Sequence, residues 1–497
     1  MIQLVMLRTV STHSSRERMT RRCEEPKTSG NAALWAVPVI DGEVMMTPPQ
    51  RLRVAVVGAG AAGLCTARHI LDSPADFVAP VVFEMDSVVG GTWVYKELPP
   101  ESDASCPVFS SLYRDLRTNL PKEVMAFPDF PFDKNLPSFI HHSDMRAYLD
   151  QYADNFSIRP HVKFQWRVEL VQPVPGPAGT EDRVAWDVTA CSLTDGHRTT
   201  QRYDAVMVCN GHYSEPHVPD IPGVGLFRGE ILHSHDYRSA ERFAGRRVAL
   251  LGAGASGQDI AVELSGMASH VLLCHRGAKP LPSALPSNVQ QAPAVLALTE
   301  GGVALADGTE RAVDAFVFCT GYRYSFPFLA EEAGVRTGDD ERTVAPLYRH
   351  LVHVDMPTMF FIGLCKVVVP FPLFDCQVRF SLATLVGRAS LPSRGEMEEE
   401  ARREREQRRT AGVPERRELV LGERQWGYVA ELARLAGAPH AAPPPCVRAI
   451  YDDVAKRRSL DLLAYRSVNY EVTGPECWRL LPGDGGRRNG AKGNSGR

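Results

Sequence analysis

The sequence predicts an α/β fold in which one strand–turn–helix unit occurs twice, the second copy inserted into the domain that the first begins. Three observations predict it. "RLRVAVVGAGAAGLCTARHIL" (residues 51–71) runs from a valine-rich apolar stretch through glycines into a helix-forming segment. "RRVALLGAGASGQDIAVEL" (246–264) repeats that order. Between and after them, "DAVMVCNGHYSEPHVPDIPG" (204–223) and "DAFVFCTGYRYSFPFL" (314–329) each run from an apolar strand into residues that punctuate structure, as an outward crossing and its return would.

In the first unit Gly58, Gly60 and Gly63 form G-x-G-x-x-G directly after a strand. The first glycine permits the turn, the second lets the backbone approach a pyrophosphate, and the third allows helix and strand to pack closely. The helix start then offers free N–H groups to phosphate. "VVFEMD" (81–86) reads as the next strand, and its Glu84 stands where a carboxylate accepts hydrogen bonds from both ribose hydroxyls. In "GGTW" (90–93), Gly91 lets the backbone pass close to a flat ring system that Trp93 would wall.

The second unit carries Gly252, Gly254 and Gly257, with Ser256 in the first turn of its helix. Here the next strand, "HVLLCHR" (270–276), ends in Arg276 rather than an acid. A guanidinium pairs with a 2′-phosphate that a carboxylate would repel, and Lys279 is close enough in sequence to assist. Acid at the first site and base at the second predict FAD or NAD first, and NADPH second.

Between the units lies "FRGEILHSHDYR" (227–238), which places Phe227, Gly229, His233 and Tyr237 in the pattern F-x-G-x-x-x-H-x-x-x-Y. Set between two dinucleotide folds, it resembles the fingerprint of the flavin-containing monooxygenases, and the Leu-Pro that follows Asn119 resembles the plant, insect and fungal members. The Baeyer–Villiger sister family carries tryptophan at the last position, where this chain has Tyr237. "RTNLPKEVMAFPDFPF" (117–132) is similar to the family's asparagine segment, and Asn119 falls on the functional asparagine. "FCTGYRYSFPFL" resembles its Thr-Gly-Tyr segment and adds Thr320 to the cofactor contacts.

The resemblance implies a larger FAD domain interrupted by a smaller NADPH domain, both Rossmann-like. It implies an NADPH- and O₂-dependent monooxygenase that forms a flavin C4a-hydroperoxide and oxygenates a soft nitrogen or sulfur of a small molecule. Asn119 is the implied catalytic residue, orienting the cofactors, while the flavin carries the hard chemistry. A linker such as 227–238 couples nicotinamide placement to domain orientation, and His233 reads as structural rather than as an acid or base. A Baeyer–Villiger oxygenase and a silent cofactor-binding protein are the alternatives.

The expected boundaries are an N-terminal extension at 1–50, disordered or non-native, the FAD domain at 51–218 and 321–470, the inserted NADPH domain at 219–320, and a flexible tail at 471–497. The net charge of −3 over 497 residues makes no case for nucleic acid. The eleven cysteines are odd in number and form no Cys-x-x-Cys. That argues against a disulfide scaffold, a metal site and a dithiol reductase, and for a reducing, cytoplasmic setting, with peripheral membrane association and a homodimer left open. "MFFIGLCKVVVPFPLF" (359–374), interrupted by Lys366 and two prolines, reads as strand and loop rather than a membrane span. Residues 396–417 are densely charged and read as a solvated helix.

Overall fold

The computed structural model describes residues 51–97, 108–175, 184–277 and 280–481, of which Arg51 onward belong to one compact unit. Two mainly parallel sheets organise it. The larger has seven strands, in the order Leu347–Tyr348, Val352–His353, Met359–Phe361, Ala205–Val208, Val54–Val57, Val81–Glu84, Val162–Phe164. Val54–Val57 lies between two parallel neighbours, with Ala55 paired to Val81 on one side and Val206 on the other. The smaller has five parallel strands, in the order Val289–Ala292, His270–Cys274, Arg247–Leu251, Ala315–Phe318, Glu230–His233.

Parallel strands covered on both faces must be apolar throughout, and alternate residues then feed two different cores. Val54, Val56, Val82, Ala205 and Met207 enter one core with Leu64 and Ile70 of the helix Ala61–Leu71 and Phe371 of Pro370–Leu385. Ala55, Val57, Phe83, Val206 and Val208 enter the opposite one, against Trp186 and Val188 of an antiparallel sheet. In the smaller sheet Val248, Leu250, Val271 and Leu273 pack on Ile260 and Leu264 of Ala255–Leu264. Ala249, Leu272 and Phe316 face Leu298 and Val303 on the other side.

The larger sheet takes strands from both before and after the smaller one, so the chain leaves and returns. Its two passages meet. Glu215–Pro216 pairs antiparallel with Tyr322–Arg323, and the His217 N–H donates to the Gly321 carbonyl at 2.9 Å.

Two expectations need correction. The segment 359–374 is not strand and loop alone, because Pro370 opens the helix Pro370–Leu385. Proline is accommodated in a first helical turn, where its missing N–H has no partner to lose. Order also continues past 470, since Asn469–Gly474 and Cys477–Leu481 form a hairpin. The rest of the expected tail and the extension at 1–50 lie outside the described residues. The charged stretch is helical only as far as Thr410, in the helix Arg394–Thr410, which is capped by Ser393 and Glu396 and buries only Met397, and Glu415–Arg417 forms a separate short turn. Among the described residues no helix is long and apolar enough to cross a membrane.

Candidate active site between two glycine turns

Both glycine turns occupy carboxyl ends of central strands, the edge where open α/β sheets bind ligands. Gly58 has φ +104° and Gly252 φ +113°, conformations that strain any other residue. A Cβ on Gly63 would overlap the Gly58 carbonyl oxygen, and one on Gly257 the Gly252 carbonyl oxygen. Each helix begins at a glycine cap, Gly60 or Gly254, with no side chain satisfying its first-turn N–H groups. Free donors of this kind at a helix start are suited to phosphate. Cys209 and Cys319 hold equivalent places, their carbonyls abutting Gly58 and Gly252. Both thiols are buried and pushed up to about 12 by desolvation, which makes them packing residues.

Around the first turn the sequence-expected residues converge. The Glu84 carboxylate accepts the Ala59 N–H at 2.7 Å and the Asp86 N–H at 2.8 Å. Burial raises its pKa, opposed by those two bonds, and each oxygen keeps a lone pair for a hydroxyl. Gly91 lies against Gly60, where its Cβ would come within 2.9 Å of the Gly60 Cα. The Gly90 N–H donates to the Ala59 carbonyl at 3.0 Å. Gly91 therefore approaches the other glycine turn rather than a ring alone. Trp93 is half-buried against the first core.

The second turn is open. Gly254 and Ser256 are exposed, and nothing comes within 4 Å of a Cβ on Gly254. Arg276 is exposed just beyond its strand. Thr320, one residue past Cys319, donates its hydroxyl to the His217 carbonyl and so fastens the return passage to the outward one. Lys279 lies outside the described residues.

The linker explains its own spacing. A Cβ on Gly229 would collide with the Phe227 ring and the Asp314 carbonyl, so the ring needs the glycine beneath it. His233 ends a strand, and its Nδ1 accepts the His235 N–H at 3.0 Å. Burial and neighbouring His235 hold its pKa down at about 4, so the ring is neutral near pH 7. Tyr237 is buried, stacked on Phe243 and edge-on to Tyr113 at 5.5 Å.

Asn119 is exposed on the bend before Pro121, and its side chain makes no hydrogen bond among the described residues. Its loop is held through its neighbours. The Arg466 Nε donates to the Thr118 carbonyl at 3.0 Å, and Arg466 Nη1 pairs with Asp259 Oδ1 at 2.5 Å. Asp259 belongs to the helix after the second glycine turn and also accepts the Tyr113 hydroxyl. A latch of Tyr113, Asp259 and Arg466 thus ties the Asn119 loop to the second turn's helix. Arg238 adds a second tie. Its guanidinium, largely buried, donates to the carbonyls of Lys96, Ser110, His235 and Tyr237. Arg238 closes the linker motif, whose pattern assigns it no role, while Tyr113, Asp259 and Arg466 carry no local signal.

One group of metal-capable side chains, Cys65, His69 and Asp375, lies within the first core. Asp375 is already engaged there by His69 at 2.6 Å and Arg379 at 2.6 Å.

The model of the flavin-binding monooxygenase-like family matches residues 51–283 and 278–480, nearly all of the described chain. The chain belongs to this family. It is an oxidoreductase of the flavin monooxygenase class, using FAD and NADPH. It is 37% identical over 391 residues to "Flavin-containing monooxygenase FMO GS-OX-like 2" of Arabidopsis thaliana, covering 74% of this chain and 81% of that relative. It is 31% identical to the senecionine N-oxygenase of Tyria jacobaeae, covering 84% and 90%. The structure of S-allyl-L-cysteine S-oxygenase from Allium sativum superposes with TM-score 0.76 at 35% identity, covering 84% of this chain and 95% of that one. An open cyclohexanone monooxygenase structure, at 15% identity and TM-score 0.55, shares the fold.

Proposed function

We propose that this flavin monooxygenase transfers one oxygen atom of O₂ to a soft nucleophilic sulfur or nitrogen of a small molecule, giving an S- or N-oxide. The observation that carries this reading is the latch that fixes Asn119 to the nicotinamide side of the molecule while the first glycine turn keeps its acid. S-oxygenases and an N-oxygenase among the relatives support the product class. Tyr237, in place of the tryptophan expected of a ketone oxygenase, favours it over ring expansion.

In this reading the turn at Gly58, Gly60 and Gly63 cradles the FAD pyrophosphate and Glu84 takes its ribose hydroxyls. Gly91 and Trp93 border the flavin side. Gly252, Gly254, Ser256 and Gly257 receive the NADPH pyrophosphate, Arg276 its 2′-phosphate, and Thr320 closes the edge between them. The donor set fits, because uncapped helix starts and glycines without Cβ atoms leave space and N–H groups where a pyrophosphate needs both. Bound flavin, reduced by NADPH, supplies the activation of O₂ that no side chain offers.

The chain's own residues bind, orient and shield. Asn119 is neutral, so it orients partners by donating and accepting without delivering a proton. His233 is also neutral and spent on the linker backbone, so it positions Tyr322, edge-on at 5.3 Å, rather than acting as an acid. The test is turnover of a thioether and a tertiary amine under ¹⁸O₂, with a cyclic ketone alongside. One labelled oxygen in a sulfoxide or N-oxide is expected, and a labelled lactone as the main product would overturn the reading.

A further inference from the structure

Four cationic side chains gather where the return passage meets the second glycine turn, and they come from separate parts of the chain. Arg276 follows the strand His270–Cys274 and Thr320 follows Ala315–Phe318, the two strands that flank Arg247–Leu251 and its glycine turn. Their ends are therefore about 10 Å apart, within reach of two long side chains. Arg342 arrives from the segment after the return, and its Nη2 donates to the Thr320 carbonyl at 3.1 Å. Lys366, over the Tyr324 ring at 4.3 Å, and Arg416 are both near enough to act electrostatically with Arg342.

This group holds more cations than paired carboxylates. Among the described residues no carboxylate reaches Arg276, Arg416 or Lys366 as an ion pair, and Asp340 stands 3.9 Å from the Arg342 Nε, beyond a hydrogen bond. That Nε is buried without a partner. Burial lowers the pKa of Arg342, opposed by Asp340 and aided by Arg416 and Arg276, and burial with Arg342 brings Lys366 down to about 8 against the pull of Asp340. Crowding like charges and leaving a guanidinium donor unpaired both cost stability, and both costs are reversed when a multivalent anion arrives.

We propose that Arg342 is a second arginine for the 2′-phosphate of NADPH, reaching across from the FAD domain to meet Arg276. This rests on the assignment of the second turn to NADPH made above. A phosphate held between them completes the fork of Arg342 with a charge-assisted bond while the other edge stays on Thr320. Nucleotide choice is then read from both sides of the crossing at once, and the bound 2′-phosphate pins the return passage.

The experiment is calorimetric titration of the FAD-loaded enzyme with NADP⁺, NAD⁺, 2′-AMP and 5′-AMP. For Arg342→Gln, NADP⁺ and 2′-AMP should weaken by about tenfold or more, as expected for one charge-assisted bond, with NAD⁺ and 5′-AMP within about twofold. Arg342→Lys, which keeps the charge, should weaken NADP⁺ less than Gln does and leave NAD⁺ unchanged, and it serves if Gln lowers the folded yield. Equal weakening of NADP⁺ and NAD⁺, or no change in either, overturns the inference. If Arg276→Gln abolishes discrimination and Arg342→Gln does not, only the second arginine falls. A parent enzyme that binds NAD⁺ as tightly as NADP⁺ overturns the underlying 2′-phosphate assignment as well.

Discussion

At the first turn Gly91 packs on Gly60 and the Glu84 carboxylate caps the Ala59 N–H; at the second, Gly254 is exposed with open space before it and the strand end carries Arg276. The backbones are otherwise alike, from positive φ at Gly58 and Gly252 to the helix pressed onto the turn at Gly63 and Gly257. One chain has used the same local solution twice and varied only what surrounds it. A covered turn with an acid suits a cofactor that stays, and an open turn with a cation suits one that comes and goes. The difference teaches that the role of such a turn is set by its neighbours in space, because its own glycines are committed to geometry.

The comparison breaks most visibly at Gly63. A methyl there overlaps the Gly58 carbonyl oxygen, and relief costs about 2–4 kcal/mol of local rearrangement. Gly63→Ala should purify with little flavin, read as the ratio of absorbance near 450 nm to that at 280 nm. Full flavin content would show that the first turn is not the FAD cradle.

Next in size is the latch. Arg466→Gln leaves Asp259 with only the Tyr113 hydroxyl, and roughly 2–3 kcal/mol of stability should be lost, less than for a fully buried pair because each side chain keeps nearly a fifth of its exposure. With the Asn119 loop freed, H₂O₂ released per NADPH oxidised should rise, and Arg466→Lys should restore part of the coupling. Lower stability with unchanged H₂O₂ release would make the latch a packing feature alone.

Arg276→Gln sharpens the contrast at the open turn. The preference for NADPH over NADH in kcat/KM should fall by about 10- to 100-fold, mostly through KM for NADPH. A preserved preference would leave the cation without its assigned partner.

The smallest effect concerns Glu263, at the far end of the second helix. Burial raises its carboxyl to about 7, with Asp115 and Asp259 adding to the rise and Tyr237 opposing it. A carboxyl held above its ordinary 4.5 binds its proton more tightly in the folded state. Its contribution is present below pH 4.5 and lost as pH climbs through 7. Glu263→Gln should therefore gain on the parent by at least about 1 kcal/mol between pH 4 and pH 8, measured by thermal unfolding at both. Equal differences at the two pH values would contradict this.

Much of this architecture was legible because its signals are local. A glycine turn, the strand before it and the acid or base ending the next strand fit within one supersecondary unit, so the Gly58 and Gly252 units and Glu84 could be placed directly. The helix at Pro370 is hidden in the sequence because prolines signal breaks as readily as first turns. The hairpin Asn469–Leu481 was lost to the glycine-rich sequence beside it. The latch had no signal, since Arg466 and Asp259 stand 207 residues apart and their pairing depends on where two domains dock. The same holds for Arg342 and Thr320, brought together by the return passage.

The most direct measurement of the division between the turns is anaerobic stopped-flow on Gly257→Ala, whose added methyl overlaps the Gly252 carbonyl oxygen and leaves the first turn untouched. Flavin content and bleaching by dithionite should match the parent, while bleaching by NADPH slows by about a hundredfold, the equivalent of a few kcal/mol lost at the nicotinamide site. Loss of flavin in this variant, or NADPH bleaching at the parental rate, would contradict the assignment of one cofactor to each turn.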